Sequence, residues 1–116
     1  MDRSKALAAL SALANTTRLE LVRALVPLGP DGLSAGEIAQ RLGVSASRLS
    51  FHLSTLEQAR LIRSRRESRH VYYAVDAAEL GGVIGYLLND CCRSHPDVRA
   101  CCTPRLRPQE AVPSAG

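Results

Sequence analysis

Cysteine is missing from the first ninety of the 116 residues, tryptophan is missing altogether, and the only aromatics are Phe51, Tyr72, Tyr73 and Tyr86. A core with so few rings has to be aliphatic, and its Leu and Ala favour helices. No run approaches the ~20 apolar residues that span a bilayer. The opening MDRSKALAALSALAN is too short and too interrupted by polar residues for a secretory signal. The expectation is therefore a cytoplasmic protein without a membrane partner. Lysine is nearly missing too: fourteen of the fifteen basic residues are Arg, and the net charge is +4. A C-x-x-C pair is also lacking, which removes the usual mark of a redox enzyme or zinc ribbon.

What is present is organised. A length of 116 residues suits one domain. Leu7, Leu10 and Leu13 recur with several Ala at helical spacing over 3–14. Asn15 can cap a second helix over 16–26, where Leu19, Val22 and Val26 make a face widened by Leu21 and Leu25. Pro27, Gly29, Pro30 and Gly32 then interrupt the chain. Ser34 and Glu37 have the spacing of a capping box for a third helix over 35–42, which Gly43 can end in a left-handed conformation. Ser45 caps a fourth helix over 46–59, with Leu49, Leu53 and Leu56 on one stripe. Two short strands, 61–66 and 69–75, follow around a turn at Glu67 and Ser68. Asp76 opens a last helix carrying Leu80, Val83, Ile84, Leu87 and Leu88. Beyond it, Pro96, Pro104, Pro108 and Pro113 predict a flexible tail. The fold class is mostly α with a small β-hairpin: a winged helix-turn-helix, in the order helix-helix-helix-helix-strand-strand-helix. Residues 1–90 read as the folded winged helix-turn-helix domain and residues 91–116 as a cysteine-containing tail.

Charge points to the partner. Between 41 and 70 there are seven Arg against Glu57 and Glu67, a localised basic surface that suits a polyanion, although a solvated charged face has the same composition. If the leucine stripe of the fourth helix faces inward, Ser47, Arg48, Ser50 and Phe51 face outward at its start. Arg can bond guanine bidentately, Ser suits either base edge, and an aromatic ring can touch a thymine methyl. Arg63, Arg65, Arg66 and Arg69 lie on the hairpin, where they could reach phosphates or the minor groove of double-stranded DNA. Beside the apolar stripe, His52 reads as a packing and hydrogen-bonding residue.

The run SASRLSFHLSTLEQARLIRSRRESRHVYYAV, with its SxHLxxLxxAxL and RRExRxxYY patterns, resembles the recognition helix and wing of the ArsR/SmtB family of metalloregulatory repressors. LANTTRLELVRAL is similar to the family's second helix, and the resemblance covers about residues 5–90. Arg60 and Ser68 depart from it, standing at turn positions where the family usually has Gly. The resemblance implies a homodimer through the first and last helices, an inverted-repeat operator, and release of DNA on binding an inducer. One family site, a Cys-x-Cys at the start of the third helix, has no thiol here, since that stretch reads Leu33-Ser34-Ala35-Gly36-Glu37. Another uses Asp and His on the last helix, yet no His occurs between Asp76 and Asp90. Some arsenite-responsive members have an adjacent Cys pair at the end of the last helix and a third Cys beyond. Cys91 and Cys92 match the pair, Cys101 matches the third in role, and Cys102 is additional.

The chemistry of NDCCRSHPDVRACC agrees. Trivalent arsenic forms three bonds to sulfur in a pyramid and needs neither His nor carboxylate, and trivalent antimony is its analogue. Soft thiolates also select other soft metals such as cadmium or lead. Zinc would take Cys91, Cys92 and Cys101 with His95 or Cys102. Methylated trivalent arsenic needs only two thiols, and reactive sulfur or an oxidant would use one Cys from each pair. Arg93 and Arg99 can lower thiol pKa values and favour these chemistries. No organic cofactor is expected and the chain is not read as an enzyme. A thiol-based metal carrier or redox protein is the reading from another class.

Overall fold

A computed structural model describes residues 1–102, with side chains through residue 100, so the expectations for 103–116 lie outside the described residues. The chain divides into two compact units, one spanning Met1–Ile84 and the other beginning at Gly85.

In the first unit, α1 (Arg3–Leu13) starts where the Asp2 carboxylate accepts the Lys5 amide. It buries Ala6, Ala9 and Ala12, while Leu7 is 58% and Leu10 36% exposed. Leu7 and Leu10 therefore face outward and Leu13 is half-buried, because the small alanine face is the one that packs on the rest of the protomer. In α2 (Thr16–Leu25), capped by Asn15, the buried residues are Leu21, Val22 and Leu25. Leu19 and Val26 are exposed, so of the expected face only Val22 turns inward, together with the Leu21 and Leu25 read as its widening.

A 3-10 segment, Val26–Asp31, leads to Gly32 at φ 64°. A Cβ there would lie 1.9 Å from the Tyr73 carbonyl oxygen, so this close crossing requires Gly. The crossing delivers β1 (Leu33–Ser34), which pairs antiparallel with the later strand β3. This strand goes beyond the expected two-stranded hairpin. At two residues it is too short to show any periodicity.

Ser34 and Glu37 make both bonds of the capping box at the start of α3 (Ala35–Leu42). Gly43 ends the helix in the left-handed conformation. After a short turn, Ser45 caps α4 (Ala46–Gln58), which buries Leu49, His52, Leu53 and Leu56. At its end the Arg60 amide bonds the Glu57 carbonyl and the Leu61 amide bonds the Leu56 carbonyl, a Schellman motif with Arg60 at φ 66°. The wing follows as β2 (Ile62–Glu67) and β3 (His70–Val75), turning through Ser68 at φ 56°. The sheet order is β1-β3-β2. Asp76 caps α5 (Ala77–Tyr86) by accepting the Glu79 amide at 3.1 Å.

In the second unit the backbone passes into one π-helical turn, Leu87–Cys91, and then into a further helix, α6 (Pro96–Cys102). Leu87 and Leu88 thus belong to the π-turn rather than to the last regular turn of α5. The stretch expected to begin a flexible tail carries α6.

Candidate nucleic-acid interface and thiol segment

The helix-turn-helix is α3 and α4 joined across Gly43. Ser47, Arg48, Ser50 and Phe51 are all exposed on the first two turns of α4, and Phe51 is 65% exposed although large and apolar. The Ser45 hydroxyl is engaged by the Arg48 amide at 3.3 Å, as its capping role requires. Behind this surface His52 is 7% exposed. Its Nδ1 lies 3.1 Å from Arg18 Nη1, and Arg18 Nε donates to the Ala12 carbonyl at 2.6 Å. A guanidinium only donates, so Nδ1 is the acceptor and the proton resides on Nε2. Burial, then the charges of Arg18 and Arg48, hold the His52 pKa below the usual histidine value. His52 is thus a neutral brace joining α2 to the recognition helix, as its sequence position suggested. Arg18 was missed. The available signal was its place three residues after the Asn15 cap, on the first turn of α2.

The four wing arginines are not equivalent. Arg63 Nε is 3.4 Å from Asp76, the residue that also caps α5. Arg65 Nη1 donates to the carbonyls of Pro30 and Asp31, both at 2.9 Å. Its Nε is 3.5 Å from Glu67, and its guanidinium lies over the Tyr72 ring at 5.0 Å. Strand alternation puts Arg63 and Arg65 on one face and Ser64 and Arg66 on the other. Ser64 donates to Glu57 of α4 at 2.8 Å, so the second face is the one toward the recognition helix. Arg66 and Arg69 are exposed at the tip and have no side-chain partner among the described residues. Arg63 and Arg65 are exposed as well, but each also has a partner, Asp76 for Arg63 and the Pro30 and Asp31 carbonyls for Arg65.

In the second unit Cys91 is exposed and Cys92 half-buried. Cys101 and Cys102 end α6, and their side chains lie outside the described residues. Among the described residues no group of three or more His, Cys, Asp or Glu could hold a metal ion. No helix among them is long and apolar enough to cross a membrane.

A family model described as a helix-turn-helix domain matches residues 13–65. The chain is 34% identical over 94 residues to the transcriptional activator HlyU of Vibrio cholerae, covering 81% of this chain and 84% of that protein. It is 34% identical over 116 residues to the HTH-type transcriptional regulator CmtR of Mycobacterium tuberculosis, covering 98% and 94%. Among solved structures, an ArsR-like transcriptional regulator from Rhodococcus sp. RHA1 superposes with a TM-score of 0.69 at 26% identity, covering 84% of this chain and 90% of that one. With the winged helix-turn-helix and these relatives together, the chain belongs to the ArsR/SmtB family of DNA-binding transcriptional regulators.

Proposed function

We propose that this protein is a homodimeric repressor that leaves an inverted-repeat operator when trivalent arsenic, or its antimony analogue, binds the thiols of residues 91–102. On DNA, Arg48 reads base edges with Ser47, Ser50 and Phe51 beside it. Arg66 and Arg69 meet the phosphates or minor groove next to it, while Arg63 and Arg65 hold the wing at the right height. The exposed Leu7 and Leu10 of α1 and Ile84 of α5 are the apolar surface that a second copy covers.

The observation that carries the inducer reading is the confinement of all four cysteines to twelve consecutive positions, 91–102, directly after the helix expected at the dimer interface. Three thiolates complete the pyramidal coordination of trivalent arsenic. Cys91 and Cys92 provide two, and Cys101 or Cys102 the third. Binding changes the relative placement of the two recognition helices by stabilising one arrangement of the dimer over the other. Such couplings are typically ~1–3 kcal/mol, and a complete switch needs about 5.5.

The test is fluorescence anisotropy of the reduced protein on the palindrome upstream of its own gene. Arsenite should dissociate the complex, and substitution of Cys91 or Cys92 by Ser should abolish the response. If polysulfide or cadmium releases DNA while arsenite does not, the inducer is reactive sulfur or another soft metal instead.

A further inference from the structure

The second unit contains a turn that lies outside the helix-turn-helix and the wing. Its π-turn closes with the Cys92 amide donating to the Leu87 carbonyl at 2.9 Å, and the Ser94 amide donates to the Leu88 carbonyl at 2.7 Å. Arg93 and Ser94 are both left-handed, at φ 53° and 58°. Two successive non-glycine residues in that region are unfavourable, and such strain persists where surrounding contacts over-determine it. Those contacts are on hand. Asn89 Oδ1 accepts from Arg99 Nη2 at 2.6 Å and from Ser94 Oγ at 3.2 Å, and Arg99 Nη2 also donates to Ser94 Oγ at 3.3 Å. Pro96 opens α6, and His95 Nδ1 accepts the Asp97 amide at 3.1 Å, which fixes where α6 begins.

We propose that Asn89, Ser94 and Arg99 form a clasp that folds α6 back on the π-turn and so holds the two cysteine pairs within reach of one thiophilic ligand. This rests on the thiol-sensing reading above and makes Asn89 and Arg99 positioning residues for it. Cys91 and Cys92 follow Asn89 by two and three residues, and Cys101 and Cys102 follow Arg99 by the same steps. Joining Asn89 to Arg99 therefore brings together the two backbone segments that carry the pairs. A ligand that demands three sulfurs has to draw on both pairs, so its affinity depends on their effective concentration. A clasp raises that concentration, and eight unrestrained intervening residues would lower it. Asn suits the role because one carbonyl oxygen accepts from both a guanidinium and a hydroxyl.

The test measures proximity separately from arsenic. The reduced full-length chain is equilibrated with reduced and oxidised glutathione; each protein disulfide formed oxidises two thiols and reduces one glutathione disulfide to two glutathione molecules. Trypsin cuts after Arg93 and Arg99, which separates the two pairs, so a cross-pair disulfide appears as linked peptides in mass spectrometry. We expect Asn89→Ala and Arg99→Ala to lower the cross-pair effective concentration about tenfold, and Asn89→Asp, which keeps the acceptor, to restore it. Arsenite affinity measured without DNA should fall in parallel, while operator affinity of the ligand-free variants stays at the wild-type value. Equal effective concentrations in wild type, Asn89→Ala and Arg99→Ala would overturn the clasp. A wild type with the high effective concentration and no arsenite binding would instead overturn the inducer reading and leave the clasp standing.

Discussion

Arg18 donates to both the Ala12 carbonyl and His52 Nδ1, so one guanidinium joins the end of α1, the start of α2 and the middle of α4. This arrangement needs a neutral His52. Because its folded pKa is depressed, its share of the stability is intact above the ordinary value of 6.5 and is lost as pH falls from there through the folded value. Urea midpoints should therefore drop between pH 7.5 and 5.5, and His52→Gln should flatten that part of the dependence. The other arginines divide by partner. Replacing Arg48 with Ala should change sequence preference, with a cost of about 1–3 kcal/mol at the base it reads. Replacing Arg66 with Ala should weaken binding to all sequences and reduce the log–log salt slope by about one. Competition binding to operator variants over a salt series separates the two. The exposure of Arg48 at the start of α4 was legible because helical periodicity alone turns it outward. That Arg65 is engaged by the Pro30 and Asp31 carbonyls was not legible, because those acceptors lie about 35 residues away in the chain.

Among the elements, the caps were readable in advance. Asn15, Ser34, Ser45 and Asp76 each accept the amide three residues on, an interaction contained within four residues of sequence. The same holds for the two turns where the chain departs from its family: Arg60 and Ser68 do occupy left-handed backbone. A non-glycine residue there costs roughly 1–2 kcal/mol relative to its preferred conformations. Ser68→Gly should therefore raise stability by about 1 kcal/mol, read as a higher urea midpoint at unchanged m-value, with little change in operator affinity. Arg60→Gly should stabilise similarly while removing one positive charge after the recognition helix. The third strand escaped notice because β1 owes its existence to a neighbour, β3, and to Gly32 letting the two backbones cross.

At the scale of the whole molecule, α1 shows an apolar face in search of a partner. Ala6, Ala9 and Ala12 serve the protomer, leaving Leu7 and Leu10 in solvent. Covering large side chains of this kind is worth roughly 1.5–3 kcal/mol each at full burial. Leu7→Glu should shift the protein toward monomer in sedimentation and reduce operator affinity at least tenfold, since a single recognition helix reads one half-site. The circular dichroism of each protomer should be nearly unchanged, because Leu7 contributes little to its core.

The sequence by itself determined the number and order of the main helices, their caps, the wing, the basic face and the sole location of thiols. Each of these depends on periodicity, on contacts spanning three or four residues, or on composition. Tertiary structure decided which stripe of α1 and α2 turns inward, which wing arginines find a partner, and how Asn89 meets Arg99. Those outcomes depend on what lies opposite each side chain once distant segments pack, and a pattern of apolar and charged letters carries no record of the opposite wall.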